Sequence, residues 1–519
     1  MKLRRFFWAG LLLPALAGAQ PAESALLALS GASAPEELSE TEMERAESLR
    51  ARPLRLNTDT RSRLLASGLF TPFQVASLED YQTRLGDIRS FAELSRVDGF
   101  TPEFVESIKP YVSLDSRAMP GASSRTREWS AEALFQTAAG GKTGLKLRGG
   151  TAHASASFCW RDAPSGNLTL EGKARPWRLI IGDYAARFGQ GLLLWSGFTL
   201  SGYGTIDAFS RRGSGISPTW TFLPESARRG AALDATFGRY TVTAFGDMRD
   251  GGAAALNVSR LSRSGQVGVS ILQAAGKGPA AALDARFSRR GTDWFGETCY
   301  AQGGGKAAAG AIHHFDYQVE LAAKAVLERN QGGGAVGFRC REHFASVEYA
   351  RKKEKTTVKL RAQSTFALAE GWSLAPRVAL RWKPGEAAPW RGEARADLLR
   401  SAGPWQATLR THIACNRKPA GLAYAEGGYK DDKYGVYLRG TLFHVREWDD
   451  RIYCYERDAP GSFNVPAYYG RGGAVALTAS ARRGRSRIYV RLSALRSDRK
   501  EKYELKLQYR YDFFHRDTP

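Results

Sequence analysis

The strongest constraint on the fold lies near the carboxyl end, where residues 503–513 read YELKLQYRYDF. Successive side chains of a strand point to opposite faces, so this stretch places two different sets of residues on its two sides. One face carries Tyr503, Leu505, Leu507, Tyr509, Tyr511 and Phe513, and the other carries Glu504, Lys506, Gln508, Arg510 and Asp512. This alternation over 11 residues is typical of a strand that crosses a membrane in a barrel.

The same alternation recurs in residues 487–494 and 357–363. A soluble sandwich would also have one apolar face on each strand, but regular charges on the other face are harder to place there. A closed barrel is the one sheet that leaves no unpaired edge in lipid. We therefore expect a mainly β fold, with a large antiparallel transmembrane β-barrel over residues 129–519. Strands of ~9–11 residues plus turns predict about 18–24 strands.

The start of the chain is typical of a secretory signal peptide over residues 1–19. A basic beginning precedes an apolar stretch at residues 6–16, and Ala17 and Ala19 supply the small residues of a cleavage site. No later stretch reaches the roughly 18 consecutive apolar residues of a membrane helix. The sequence therefore predicts export to the cell outer membrane.

Helical patterns fill the region that follows, which we assign as a periplasmic domain at residues 20–115 with its core at 53–114. Two turns in it are alike, SGLFTP at residues 67–72 and VDGFTP at residues 97–102. In each, Thr suits the cap of a new helix and Pro suits its first position. We expect a duplicated helix–turn–helix unit, joined to the barrel by a linker at residues 116–128.

This helical region resembles the helix-hairpin-helix domain of competence-type DNA receptors. The sequence LNT at residues 56–58 matches the start of that domain, and Gly86, Phe91 and Leu94 match its connector. The resemblance implies a compact set of helices and possible DNA-contacting hairpins. The candidate positions are Gly68, Leu69, Phe70, Thr71, Gly99, Phe100 and Thr101.

Two observations favour a structural or protein-docking role for these hairpins over DNA binding. The second glycine of the family's Gly-hydrophobic-Gly hairpin is missing, and Asp98 adds a negative charge to the second hairpin. Phosphate contacts supply most nucleic-acid affinity and require Lys or Arg. Residues 21–120 instead hold 11 basic and 16 acidic residues, which gives a net charge of −5.

A glycine-rich stretch, GDYAARFGQGLLLWSGF, occupies residues 182–198. The dinucleotide-binding fingerprint requires Gly-x-Gly-x-x-Gly before a helix. Here Leu194 takes the place of the third glycine, and the residues after it are typical of a strand. We therefore expect a barrel strand, a tight bend and a second lipid-facing run that ends at an interfacial Trp195.

The same stretch, together with residues 214–233 and 450–473, resembles a family of helix-hairpin-helix outer-membrane barrel proteins of Bacteroidetes-type bacteria. The shared motifs are Ile-Gly-Asp-Tyr, Phe-Gly-Gln-Gly-Leu, Trp-x-Gly, a Glu followed by Arg-Gly, and Tyr-x-Tyr-Glu. The matching positions are Gly182, Asp183, Gly189, Gln190, Gly191, Trp195, Gly197, Glu225, Arg229, Gly230, Tyr455 and Glu456. The resemblance implies a barrel in the membrane and a structural role for these positions.

Other constellations point away from catalysis and cofactors. The five cysteines are scattered without a CxxC, so neither a disulfide framework nor a zinc site is expected. His313 and His314 are neighbours on a strand and point to opposite faces, which does not suit a metal pair. Glu225 beside Arg228 and Arg229 suggests an ion pair that fastens an inward loop, with a substrate-binding charge cluster as the alternative. We predict a non-enzyme without metal or cofactor.

The net charge of +23 is concentrated in the barrel, since residues 121–519 carry about +25. Three partners match this surplus: outer-membrane lipid with lipopolysaccharide phosphates, anionic solutes in the pore, and a nucleic acid strand. The leading hypothesis is a channel or envelope-assembly component whose helical domain docks a periplasmic protein partner or plugs the barrel. The alternative is an outer-membrane receptor for DNA binding or uptake.

Overall fold

The computed structural model covers the whole chain and describes most of it. The described residues are 32, 34–38, 40–51, 53–115, 129–139, 141–151, 153–172, 176–197, 202–222, 227–249, 251–316, 318–460, 462 and 464–513. The expected signal peptide, the linker at 116–128 and Glu225 lie outside these residues.

A small helical module precedes the barrel. Its helices are Glu40–Ala51, Arg61–Ala66, Pro72–Leu85, Phe91–Leu94 and Pro102–Ile108, with single 3-10 turns at Pro35–Glu37 and Lys109–Tyr111. A two-residue strand, β1 (Leu54–Arg55), pairs in parallel with β2 (Val112–Ser113) and closes the module. The expected caps are confirmed. The side chains of Thr71 and Thr101 accept backbone N–H groups in the first turns of the helices that begin at Pro72 and Pro102.

Asn57 of the LNT sequence holds the module together. Its amide nitrogen donates to the carbonyl oxygens of Ile88 (2.9 Å) and Leu114 (3.0 Å). Its amide oxygen accepts the Ile88 N–H at 2.9 Å. Two aromatic residues of the hairpins, Phe70 and Phe100, pack with ring centroids 5.9 Å apart and are almost fully buried. Both hairpins therefore contribute an aromatic ring to the core of this module.

Most of the remaining described residues form strands, and all of these except one short pair belong to one closed antiparallel barrel. The first of these are β3 (Ser130–Ala138), β4 (Gly144–Gly150), β5 (Ala154–Trp160), β6 (Pro164–Glu171), β7 (Trp177–Arg187), β8 (Gly215–Pro218), β9 (Arg228–Phe237), β10 (Tyr240–Asp247), β11 (Ala253–Ser262), β12 (Gly265–Ala274), β13 (Ala280–Arg289), β14 (Thr292–Ala301), β15 (Gly304–His314) and β16 (Val319–Glu328). The series continues with β17 (Gln331–Cys340), β18 (His343–Lys352), β19 (Lys355–Ser364), β20 (Phe366–Ala369), β21 (Trp372–Trp382), β22 (Trp390–Ala402), β23 (Trp405–Cys415), β24 (Pro419–Lys430), β25 (Tyr434–Val445), β26 (Ile452–Tyr453), β27 (Ala467–Tyr468), β28 (Gly470–Arg483), β29 (Ser486–Ser497) and β30 (Glu501–Asp512).

Pairing of β30 with β3 closes the barrel. In the part of the chain that is described, the wall has 24 strands, within the expected range. Strand β8 adds to β7 at the rim, β20 continues β19, and β26 pairs with β27 outside the wall. The even number and uniform antiparallel pairing are the architecture of outer-membrane barrels.

The two faces of the wall have the chemistry that the alternation predicts. On β30, Tyr503 and Leu505 are 72% and 44% exposed on the outside, whereas Gln508 and Arg510 face the lumen at 2% and 6%. The same holds on β29, where Leu492 is exposed and Arg491 is buried. The transmembrane barrel fold is therefore confirmed.

The helices do not contribute to this wall. Within the described residues, none of them is both long and apolar enough to cross a membrane.

The barrel has two distinct ends. Strand β3 begins and β30 finishes at what we call the terminal end, where most connections are short turns, such as 238–239 and 263–264. At the opposite end, two connections are long: residues 188–227 between β7 and β9, and residues 446–469 between β25 and β28. Short turns at the end that holds the termini and longer loops at the other are typical of outer-membrane barrels.

Candidate functional site in the barrel lumen

The helical module contacts the inward-facing side of the wall near the terminal end. Arg61 donates from Nη1 to the carbonyl oxygen of Gly238, in the turn between β9 and β10, at 2.8 Å. Beside it, the hydroxyls of Ser62 and Thr236 are 3.4 Å apart. Thr236 lies on β9 in the same inward-facing row as the buried Asp234. The module therefore enters the mouth of the barrel.

Further contacts come from other parts of the wall. On β4, the inward-facing Arg148 donates from Nη1 to the Ser48 hydroxyl at 2.6 Å. In the turn between β11 and β12, Arg263 pairs with Asp80 at 3.2 Å. Strands β4, β9 and the β11–β12 turn thus hold three separate helices of the module, so its position is fixed on more than one side.

The structure places the two hairpins differently. Leu69 of the first hairpin offers its carbonyl oxygen to Nη1 of Arg212, from the long connection 188–227, at 2.9 Å. Gly68 has a φ of +72°, and a side chain there would meet Arg45. The second hairpin leaves Gly99 and Thr101 exposed and Phe100 buried. The hypothesis that these hairpins contact DNA stays a prediction.

The segment before the first long helix crosses to the far side of the lumen. There the Glu36 carboxylate accepts Nη1 of Arg395 on β22 at 3.2 Å and Nη1 of Arg410 on β23. Its Oε1 also accepts the backbone N–H of Tyr455, from the connection 446–469, at 3.2 Å. Glu37 reaches Arg361 on β19 at 3.3 Å. One carboxylate therefore joins the module, the wall and a loop of the opposite end.

The charge of Glu36 is set by this position. Burial acts to raise its pKa, but Arg410 and Arg395 outweigh burial, and the pKa of Glu36 is held well below its usual range. The carboxylate is therefore ionised in this contact at neutral pH, which suits a hydrogen-bonded buried ion pair.

The glycine-rich stretch does form an anion cradle, but for a carboxylate of this chain. Glu297 on β14 accepts the backbone N–H groups of Gln190 (2.6 Å), Leu192 (3.0 Å) and Leu193 (3.2 Å). Gly189 has a φ of +57°, and a Cβ there would lie 2.8 Å from Glu297 Oε2. The glycine is required because the backbone both turns left-handed and approaches the wall closely.

The prediction of a second lipid-facing run at this stretch is wrong. Residues 188–197 fold back toward β7, and the N–H of Phe188 donates to the carbonyl of Leu194 at 3.0 Å. Leu194 is buried with Tyr184 and Phe245, and Trp195 lies beside Arg187 and Arg211 rather than at a lipid interface. The backbone N–H groups of this segment donate to Glu297, whereas in a strand of the wall they would donate to a neighbouring strand.

The other glycines of the motif permit close strand contact. Gly182 and Gly230 are register partners on β7 and β9, with φ angles of +108° and +156°. A Cβ on Gly182 would lie 2.3 Å from the Gly166 carbonyl oxygen. Gly197, with a φ of +109°, similarly lies against the Arg187 guanidinium. A side chain at either position would therefore force a neighbouring backbone or guanidinium group to move.

The charged members of the motif also fasten structure. Asp183 is almost fully buried and binds Arg229 through Nε at 2.8 Å and Nη2 at 3.0 Å. Arg228 pairs with Asp247 at 3.2 Å. Asp183 and Asp247 are thus carboxylate partners of the two arginines that the sequence placed beside Glu225.

The Tyr-x-Tyr-Glu motif anchors the connection 446–469 inside the barrel. Glu456 accepts the Tyr468 hydroxyl, Nδ2 of Asn464 at 3.1 Å and Nη2 of Arg491 on β29. The Tyr455 carbonyl accepts Nη1 of Arg439 on β25. The loop therefore lies against wall residues that face the lumen.

Cavities lie between the described parts of these elements, and two of them adjoin the module or its contacts. One of about 310 Å³ lies between the module and strands β4 to β8, beside Arg45, Arg148 and Arg178. The other, of about 480 Å³, lies beside the Glu36 contact and extends to Arg377 and Arg457. Among its described lining residues, seven arginines face four acidic residues. Part of the positive charge of the barrel is thus located around this second cavity in the lumen.

In the part of the chain that is described, no group of three or more His, Cys, Asp or Glu residues is placed to hold a metal ion. His313 bonds the Thr292 hydroxyl at 2.8 Å, whereas His314 bonds Glu320 at 2.8 Å. The two neighbouring histidines thus have separate partners.

Sequence reasoning missed Glu36, Glu297, Asp397, Arg395 and Arg410. Each lies in a stretch without a recognisable motif, and each has a partner on another element of the fold. An inward-facing charge in a strand pattern was the one signal available for the four wall residues.

No family model and no curated protein sequence matches this chain. Among solved structures, OpdL of Pseudomonas aeruginosa is 11% identical over 74% of this chain and 99% of its own, with a TM-score of 0.30. The siderophore receptor PirA from Acinetobacter baumannii is 8% identical over 75% of this chain and 81% of its own, with a TM-score of 0.41. The translocation pore of the P pilus usher PapC is 9% identical over 75% of this chain and 99% of its own, with a TM-score of 0.36. The likeness concerns the fold alone.

Proposed function

We propose that this chain is a non-enzymatic channel of the outer membrane whose helical module closes the lumen from the periplasmic end. The proposal rests on the set of bonds between the module and the lumen side of the wall. Ser62 bonds Thr236 on one side, and Glu36 bonds Arg395 and Arg410 on the other. A module that served only as a periplasmic docking domain would not require contacts with inward-facing wall residues.

The contacts are suited to a plug that moves. They are polar and ionic, whereas the module has its own apolar core around residues such as Val75, Leu78 and Ile88. Ion pairs across an interface can exchange with water and salt, while an independent core keeps the module folded when it leaves. Opening therefore requires breaking wall contacts without unfolding the module.

Single-channel conductance in planar bilayers tests the plug. A variant that lacks residues 20–115 is expected to conduct steadily, and the full chain is expected to stay mostly closed. A second variant, Ser62→Cys with Thr236→Cys in a background without the five native cysteines, is expected to lose the remaining channel openings when oxidised and to regain them when reduced. Each single-cysteine variant serves as its control. Equal conductance of the deletion variant and the full chain would refute the plug.

Two partner hypotheses remain beside this one. Lipopolysaccharide is proposed for the outer rim, where Arg417 and Arg451 line a cavity together with Arg391, the sequence neighbour of Trp390. Trp390 stacks on Trp382. DNA binding is proposed as the alternative function because the second hairpin is exposed at Gly99 and Thr101. Binding of duplex DNA to the detergent-solubilised chain, measured against salt, tests it, since phosphate contacts give a steep salt dependence.

A further inference from the structure

Two arginines of the lumen are held in fixed positions by a shared carboxylate. Asp397 on β22 accepts Nε of Arg395 at 2.8 Å and Nη2 of Arg410 at 3.2 Å. Asp397 and Arg410 are register partners on neighbouring strands, and the Tyr424 ring lies 5.1 Å from the Arg410 guanidinium. All three charged side chains are largely buried, and the bonds from Asp397 to the two arginines involve no residue of the module.

The remaining donors of this pair are directed at a second carboxylate, which Glu36 supplies. Three groups from three elements converge on it: Arg395, Arg410 and the Tyr455 N–H. Guanidinium groups bind carboxylates well because their planar donors match the two oxygens. When Glu36 leaves, two arginines remain with one aspartate, and the site retains a positive charge and unused donors.

A cavity of about 480 Å³ lies beside these two arginines, and Arg377, Arg439 and Arg457 add to its lining. This volume is in the range of small-molecule sites, about 300–1,000 Å³. A small anion in the lumen would therefore meet a basic chamber that adjoins the donors now bound to Glu36.

We propose that Arg395 and Arg410, positioned by Asp397, form the binding site for the carboxylate of a small anionic solute, and that Glu36 occupies this site as a tethered competitor. The inference rests on the proposed function, because it names the solute class that the channel admits. Solute and plug then compete for the same donors, so arrival of the solute favours release of the segment that carries Glu36.

Calorimetric titration of the detergent-solubilised full chain with succinate tests this without requiring conductance. Glu36→Ala is expected to bind succinate at least about tenfold more tightly than the unmodified chain, because a competitor that fills the site lowers the apparent affinity. Glu37→Ala is the matched control: it removes the same charge from the neighbouring residue, whose carboxylate bonds Arg361 instead. It is expected to bind succinate as the unmodified chain does.

A second variant shows whether the arginine pair is the site. Glu36→Ala combined with Arg410→Gln is expected to lose the gained affinity, with heat-modifiable gel migration showing that the barrel is folded. Equal succinate affinity of Glu36→Ala and Glu37→Ala would overturn the inference, as would a gain for inorganic phosphate without one for succinate. A closed full chain that opens on deletion of residues 20–115 would still support the plug, so the two proposals fail separately.

Discussion

The carboxylate of Glu297 accepts the backbone N–H of Gln190 at 2.6 Å, although the two residues are 107 positions apart. This bond and its two neighbours fix the glycine-rich loop to the inner wall. A turn that looks like a phosphate loop in the sequence is thus already occupied by an anion of the chain itself.

Replacing Glu297 by Gln should loosen this loop. The amide nitrogen would face an N–H donor where a carboxylate oxygen now accepts, and a buried unsatisfied donor costs about 1–3 kcal/mol. We expect chymotrypsin to cleave within residues 188–197 faster than in the unmodified protein. Glu328→Gln, which affects a partly exposed pair with Lys306, is the control and should leave the cleavage rate unchanged. Equal protection in both variants would contradict the role of Glu297.

Gly189→Ala should destabilise the folded barrel. The φ of +57° costs a residue with a side chain about 1–3 kcal/mol, and the new methyl group would crowd Glu297. The midpoint of heat-modified gel migration should fall. Gly427→Ala on β24 is the matched control, because a Cβ there meets nothing within 4 Å and its φ is not in the left-handed region. A fall of similar size in both variants would argue against a special requirement at Gly189.

A charged side chain on the lipid-facing side of β29 should lower the stability of the folded barrel. Leu492 is 44% exposed on the outside of the barrel near the middle of its strand. We expect Leu492→Arg to lower the free energy of unfolding in lipid vesicles by about 2–4 kcal/mol, measured by urea titration. Tyr503→Arg lies near the start of β30 and should cost about 0–1 kcal/mol. If Leu492→Arg is as well tolerated as Tyr503→Arg, this face does not contact the hydrocarbon.

Acid should weaken the contact of Glu36. Because the pKa of Glu36 is lower in the folded chain than its ordinary 4.5, its stabilising contribution is present above that value and is lost as pH falls toward the lowered pKa. Protease digestion of the module between about pH 7 and about pH 3 should accelerate on the acid side. Glu36→Gln should show a flatter profile, since it has no proton to gain. Identical profiles would place the acid response elsewhere.

Much of this protein was determined by local sequence. The alternation at Leu505 and Arg510 assigns an outside and an inside, because the period of two along a strand is a property of the backbone. The caps at Thr71 and Thr101 likewise depend on residues three positions away. The barrel, its approximate size and the helical module could therefore be predicted.

Only the tertiary structure decided which side chains meet in the lumen. Leu194 has the pattern of a lipid-facing run, but the partner that turns its segment inward is Glu297, on another strand of the wall. Glu36 lies 359 and 374 residues from Arg395 and Arg410. Such pairs form because strand register and barrel closure bring distant inward-facing charges to one level, and burial in a space with little water then requires that they be paired. The pattern of each strand gives its faces, but only the closed wall gives each charge its partner.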